Sequence, residues 1–218
     1  MKLYMHPASA TSRPVSLFAA DENIALDEIV IDLMTGEHRQ PEYLAINPNG
    51  LVPLLDDDGF RLSESSAILK YLAEKTCSAA YPGDLRERAR VNETMDWLNS
   101  NLYRDLGFNM VYPQLFPHHA RRSAEGTAAA IDWGRQRCAD WMPVLDEHFI
   151  GPDRDYLCLG RLTIADYFGS GVVGLAESVN FDFSDYPNVN RWLRGMKSLP
   201  NWERVNVGFY QMIKSLAA

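Results

Sequence analysis

Residues 47–66 read Asn47-Pro48-Asn49-Gly50-Leu51-Val52-Pro53-Leu54-Leu55-Asp56, then Asp57-Asp58-Gly59-Phe60-Arg61-Leu62, then Ser63-Glu64-Ser65-Ser66. Val52-Pro53 sets a proline where an apolar strand should begin, and sheets admit proline only at edges, first positions or bulges. The backbone groups of Val52 are left available to an extended ligand that adds itself as a strand, and the helix start at Ser63 to Ser66 offers N–H groups to a carboxylate. The stretch therefore predicts a hairpin, a helix and, on them, a cradle for a small peptide.

Upstream, strand and helix signals alternate: Lys2 to Met5 as a strand, Arg13 to Glu22 as a helix, Asp27 to Ile31 as a strand, and a short helix near Pro41 to Ala45. Val52 to Leu55 and Phe60 to Leu62 flank the Asp57-Asp58-Gly59 turn, and Ala67, Ile68, Tyr71 and Leu72 recur at helical spacing. A parallel β-α-β crossover joined to β-β-α gives a mixed α/β sheet, an order that resembles the thioredoxin fold. After the turn cluster Tyr81-Pro82-Gly83-Asp84 no strand pattern returns. The predicted organisation is an α/β domain over 1–78, a linker over 79–84 and an all-α helical-bundle domain over 85–218.

Within that second domain Leu98, Leu102, Leu106 and Met110 form an i, i+4 stripe, and Ile131, Gly134, Cys138, Trp141, Leu145 and Phe149 form another. Thr163 followed three residues later by Asp166 predicts a capping box at a helix start. Such a cap is worth about 1 kcal/mol, so Asp166 reads as a stability residue.

The chain has 218 residues and a formal charge of -8, long enough for two cores and without the basic footprint of a nucleic-acid or anionic-membrane partner. Met1 to Pro7 is too short and mixed for a signal peptide, and no apolar run approaches the roughly 20 residues of a membrane span. Cys77, Cys138 and Cys158 are far apart and form no Cys-x-x-Cys pair. A cytoplasmic protein with structural thiols and no metal site is expected.

Between the first strand and first helix lies His6-Pro7-Ala8-Ser9-Ala10-Thr11-Ser12-Arg13-Pro14, where an open α/β sheet places ligands. It carries hydroxyls and no cysteine, which argues against thiol-disulfide exchange. This loop, the Val52-Pro53 turn, Glu64-Ser65 and Leu162-Thr163-Ile164-Ala165-Asp166 occur in an order and spacing that resemble the cytosolic glutathione transferases. Within that superfamily the serine-dependent theta and delta classes are most similar, and the His6 to Arg13 loop resembles that of bacterial dichloromethane dehalogenases.

The resemblance implies a thioredoxin-like domain followed by a helical domain, a homodimer, and a detoxifying enzyme with glutathione as cosubstrate and a small hydrophobic electrophile as second substrate. Ser9, four residues before Arg13, matches the serine that stabilises the glutathione thiolate; Ser12 is its rival, although Pro14 makes Ser12 a natural N-cap with its hydroxyl already engaged. Arg13 reads as a surface helix residue or as an electrostatic contributor to the site. Val52 maps onto the residue whose backbone pairs with the cysteinyl part of glutathione, with Pro53 expected cis. Glu64 and Ser65 match the pair that holds the γ-glutamyl end, and His38 falls where the glycyl carboxylate is held. Leu51 departs from the pattern, because many relatives carry a polar residue at or beside it. Arg104, Phe108, Tyr112 and Phe116, with Phe209, Tyr210 and Met212, are candidates for an apolar electrophile pocket. A glutathione-dependent dehalogenase and a non-catalytic glutathione-transferase-like binding module are the alternative readings.

Overall fold

A computed structural model describes residues 1–216, and these divide into two compact units: residues 1–81 with the terminal segment from Leu199 onward, and Pro82–Ser198. In the first unit β1 (Lys2–Met5), α1 (Ser12–Asp21) and β2 (Asp27–Val30) form the β-α-β half. A 3-10 turn at Glu37–Arg39 and the short α2 (Pro41–Leu44) lead to β3 (Leu54–Asp57), β4 (Phe60–Ser63) and α3 (Ser65–Lys75). The four strands lie in the order β2-β1-β3-β4, with β1 parallel to β2 and antiparallel to β3. The register pairs Tyr4 with Leu54, and Leu54 with Ser63.

The strand expected over Val52 to Leu55 starts at Leu54 instead. Pro53 has no N–H to give the ladder, so pairing begins one residue after it. Leu3 and Met5, alternate residues of β1, are buried, and so are the consecutive Leu54 and Leu55, which leaves β3 covered on both faces; Val15, Leu17 and Phe18 of α1 and Ile68, Leu69 and Leu72 of α3 are buried as well. A buried Leu, Val or Phe contributes roughly 1.5–3 kcal/mol relative to exposure, so these faces hold the loops at the strand ends in place.

In the second unit α4 (Leu85–Trp97) is capped by Asp84, whose side chain accepts from the N–H groups of Arg86 and Glu87. Its path continues through Leu98–Val111 as a π-helical segment into α5 (Tyr112–Leu115). The helix α6 (Ala124–Pro143) runs on through Val144–Ile150, followed by α7 (Ile164–Gly174) and α8 (Pro187–Lys197). Every residue of α7 is buried. The stripe Leu98, Leu102, Leu106 and Met110 is core, as its spacing predicts.

The capping box forms as expected. Asp166 accepts from the Thr163 N–H at 2.8 Å and hydroxyl at 2.9 Å, and also from the Leu157 N–H at 2.7 Å and the Trp192 indole N–H at 3.0 Å. Burial pushes its carboxyl up to about 6, against the pull of those donors.

The last helix, α9 (Trp202–Leu216), packs on α1 and belongs to the first unit, although the expected helical domain runs over 85–218. Its Asn206 and Phe209 are buried against Arg13. Among the described residues no helix is long and apolar enough to cross a membrane.

Candidate functional site

The loop from His6 to Ser12 is a closed hydrogen-bonded turn. Ser9 N–H donates to the His6 carbonyl at 2.9 Å, and the Ser9 carbonyl accepts from Arg13 N–H at 3.2 Å. The Ser9 hydroxyl oxygen accepts from the N–H groups of Thr11 at 3.3 Å and Ser12 at 3.2 Å. Ser9 thus satisfies the N–H of the first residue of α1 from two residues ahead of the N-cap position, Thr11, and the expected cap, Ser12, sits inside the helix, wholly buried, with its hydroxyl accepting the His6 N–H at 3.4 Å. The asx-like turn brings the side chain three residues upstream over the helix end, which sequence spacing from Pro14 did not reveal.

These bonds use the lone pairs of Ser9 and leave its proton. A hydroxyl offers one donor and two acceptor sites, and both acceptor sites of Ser9 are taken by backbone N–H groups. The neighbouring hydroxyl is Thr11 Oγ1, 3.1 Å from Ser9 Oγ, and Thr11 in turn donates to the Val52 carbonyl at 3.2 Å. With the Thr11 proton on Val52, the proton between the two hydroxyls is that of Ser9. N–H donation into an oxygen polarises its O–H and makes it a better donor.

Arg13 is buried, unlike a surface helix residue. Its guanidinium binds the Asn206 side-chain carbonyl and lies over the Phe209 ring, 3.9 Å from the centroid. Phe209 is thus a core residue of the first unit. His6 is half-buried, its Nδ1 accepts the Ala8 N–H at 3.2 Å, and burial holds its pKa below the usual value. The imidazole is neutral near pH 7.

Val52 precedes a cis Pro53, and the backbone before it is pinned: the Leu51 carbonyl accepts from the Tyr43 hydroxyl at 2.7 Å and the Asn47 amide at 2.8 Å. The Leu51 side chain projects outward, 55% exposed, and brings no polar group. Beside it, Gly50 has φ +58°, and a Cβ there would stand 2.9 Å from the His38 carbonyl and 3.0 Å from Arg39 Nη1. His38 and Arg39 thus flank the space that a side chain at residue 50 would take. Among the described residues the Arg39 guanidinium has no hydrogen bond, ion pair or ring contact.

Glu64 immediately precedes α3 at φ 70°, ψ 115°, and its side chain makes no cap hydrogen bond. A non-glycine residue held there costs on the order of 1–3 kcal/mol, a kind of strain that clusters at ligand sites. Ser65, buried, opens the helix. The first turn of α3 has no side-chain cap.

In the second unit, Arg104 pairs with the buried Asp105 at 3.1 Å, while Phe108 and Tyr112 meet edge-on with ring centroids 5.3 Å apart. Tyr103 shares a 2.6 Å hydroxyl contact with Tyr112, and His119, its pKa lowered mainly by burial, lies 5.0 Å from the Tyr112 ring. Phe108 is 45% exposed. The structure brings Phe108 and Tyr112 together and engages Arg104 elsewhere.

Two residues escaped sequence reasoning. Thr11 was visible as one hydroxyl of the loop, but its link to Val52 spans 41 positions. Arg39 adjoins His38 and gains meaning only from the close approach of Gly50.

Residues 1–74 match the sequence model described as glutathione S-transferase, N-terminal domain, and residues 105–200 the corresponding C-terminal domain. The chain is 32% identical over 211 residues to glutathione S-transferase D7 of Drosophila melanogaster, covering 94% of this chain and 88% of that protein. A delta-class glutathione transferase of Nilaparvata lugens superposes with TM-score 0.83 at 32% identity over 99% of each chain. A possible glutathione S-transferase of Rhodopseudomonas palustris gives 0.79 at 32% identity over 91% of this chain and 86% of that one.

Proposed function

The chain belongs to the glutathione S-transferase family, and from that membership we propose an enzyme of the serine-type, theta- and delta-like kind, in which Ser9 stabilises the glutathione thiolate for attack on a small hydrophobic electrophile. The observation that carries this is the state of the Ser9 hydroxyl. Its acceptor sites are filled by the Thr11 and Ser12 N–H groups, so it acts as a donor, and a thiolate would take the proton it shares with Thr11 Oγ1. A free thiol ionises near 8.5, and a hydrogen bond to a charged group is worth about 1.5–3 kcal/mol, so one such donor lowers the bound thiol by about one or two pKa units.

The remaining groups take the other parts of the peptide. Val52 pairs with the cysteinyl backbone, the strained turn at Glu64 with Ser65 receives the γ-glutamyl end, and His38 faces the glycyl carboxylate. Arg39 supplies the cation that Leu51 does not. Within the second unit, Phe108 and Tyr112 offer ring faces and edges to an apolar ligand, and Arg104 is paired with Asp105.

The test is a pH titration of bound glutathione followed by thiolate ultraviolet absorbance. Wild-type protein should show a pKa one to two units below that of free glutathione, and Ser9→Ala should return most of that difference. Equal titration of the two would sink the role given to Ser9.

A further inference from the structure

Thr11 Oγ1 stands 3.1 Å from Ser9 Oγ and 3.2 Å from the Val52 carbonyl oxygen. On the reading above, those are the two groups that meet the sulfur and the backbone of the same cysteinyl residue. The proton of Ser9 has one direction left to it, because backbone N–H groups hold both of its acceptor sites, and that direction leads toward Thr11. A sulfur that accepts this proton therefore arrives beside the Thr11 hydroxyl.

The Thr11 proton, meanwhile, occupies the carbonyl that an incoming peptide N–H would seek. We propose that Thr11 is a second catalytic hydroxyl: the cysteinyl N–H of glutathione takes over the Val52 carbonyl, and the displaced Thr11 hydroxyl turns to donate to the sulfur alongside Ser9. This rests on Ser9 and Val52 being the thiol and cysteinyl partners. The exchange conserves hydrogen bonds, since Val52 trades one donor for another and Thr11 trades a carbonyl for a thiolate, and a bond to a charged acceptor is the stronger of the two. No covalent bond of either hydroxyl breaks; the thiol proton leaves to water. Binding of the peptide backbone is thereby coupled to thiol ionisation.

The bland role for Thr11 is a strut between α1 and the Val52 turn. A strut would affect folding and glutathione affinity but not the pKa of thiol already bound. The experiment titrates bound glutathione, at saturation, in wild type, Thr11→Val, Thr11→Ser, Ser9→Ala and the double variant Ser9→Ala with Thr11→Val.

Thr11→Val is nearly isosteric and should raise the bound thiol by about half to one pKa unit, with Thr11→Ser restoring it and the double variant exceeding Ser9→Ala alone. A Thr11→Val titration that matches wild type or moves lower, while Ser9→Ala moves higher, overturns the second donor and leaves the role of Ser9 intact. Ser9→Ala unchanged with Thr11→Val raised removes Ser9 and makes Thr11 the donor. Absence of a bound thiolate in the wild type overturns both. Should Thr11→Val fail to fold, Thr11→Ala and Thr11→Cys read the same loss of the hydroxyl.

Discussion

The guanidinium of Arg13 stacks on the ring of Phe209, 3.9 Å from its centroid, and binds the side-chain carbonyl of Asn206 on the same helix. Arg13 is the second residue of α1, immediately after Ser12, whose N–H donates to the Ser9 hydroxyl. The final helix of the chain is thus a brace for the first one, and through it for the thiol-activating loop.

Arg13→Met retains much of the apolar stem and removes the charge. Loss of a buried cation–π contact and a charge-assisted hydrogen bond should lower the stability of the first unit by about 2–3 kcal/mol. Urea unfolding followed by a probe in that unit checks this. Arg13→Lys should recover only part of it, because an ammonium lacks the planar face that stacks on the ring.

Gly208 makes the brace specific. A Cβ at this position would come within 2.7 Å of Pro7 Cβ, so Gly208→Ala pushes directly on the loop that holds Ser9. Overpacking costs about 1–3 kcal/mol and a better helix former returns about 1, so stability should fall by no more than about 2 kcal/mol. Activity should fall by about tenfold in kcat/KM, since displacement of a positioned group by a fraction of an ångström is amplified in rate. Gly195→Ala, a helical site with nothing within 4 Å of the added Cβ, is the control and should leave kcat/KM unchanged.

These two cases mark how far the sequence alone can be read. Short apolar runs and turn chemistry were enough for the hairpin, because Leu54 and Leu55 before Asp57-Asp58-Gly59 and Phe60 to Leu62 after it read as paired strands, and Pro53 merely moved the start of the first. Thr163 and Asp166 were legible because a capping box is local. The burial of Arg13 was not legible, since a charged residue near a helix start reads as solvated unless its partner is known, and Asn206 lies 193 positions away. Ser12 was misjudged as the cap for a different reason: which hydroxyl folds over a helix end depends on backbone angles that composition does not encode. The same limit hid Arg39, whose role emerges from the left-handed turn at Gly50.

Asp166 makes a pH prediction with a definite sign. Burial holds its carboxyl up to about 6 in the folded protein, above the ordinary value of 3.8 that the unfolded chain retains. Between those values the folded unit keeps a proton that the unfolded chain has released. Its contribution is therefore fully present below about pH 4 and is lost as pH rises through 6. Asp166→Asn removes the titration. The stability difference between wild type and Asp166→Asn should shrink by about 2–3 kcal/mol from pH 4 to pH 7. Thermal or urea unfolding of both proteins across that range tests it, and a difference that grows with pH would show the four donors outweighing burial.

Arg39 carries the final prediction, because its guanidinium is uncommitted among the described residues and adjoins Gly50 and His38. If it binds the glycyl carboxylate, Arg39→Ala should raise KM for glutathione by about three- to tenfold, the range for an exposed charge-assisted contact near 1 kcal/mol. The turnover at saturation should stay the same, since the contact is made equally in the ground and transition states. Screening adds a second signature: the gap between wild type and Arg39→Ala should narrow as salt is raised. Glutathione amidated at its glycyl carboxylate separates this from a structural effect, because that ligand lacks the charge and should bind the two proteins equally. A loss of affinity that persists with the amide would place the defect in the Gly50 turn itself, where the Arg39 side chain fills the space left by the missing Cβ.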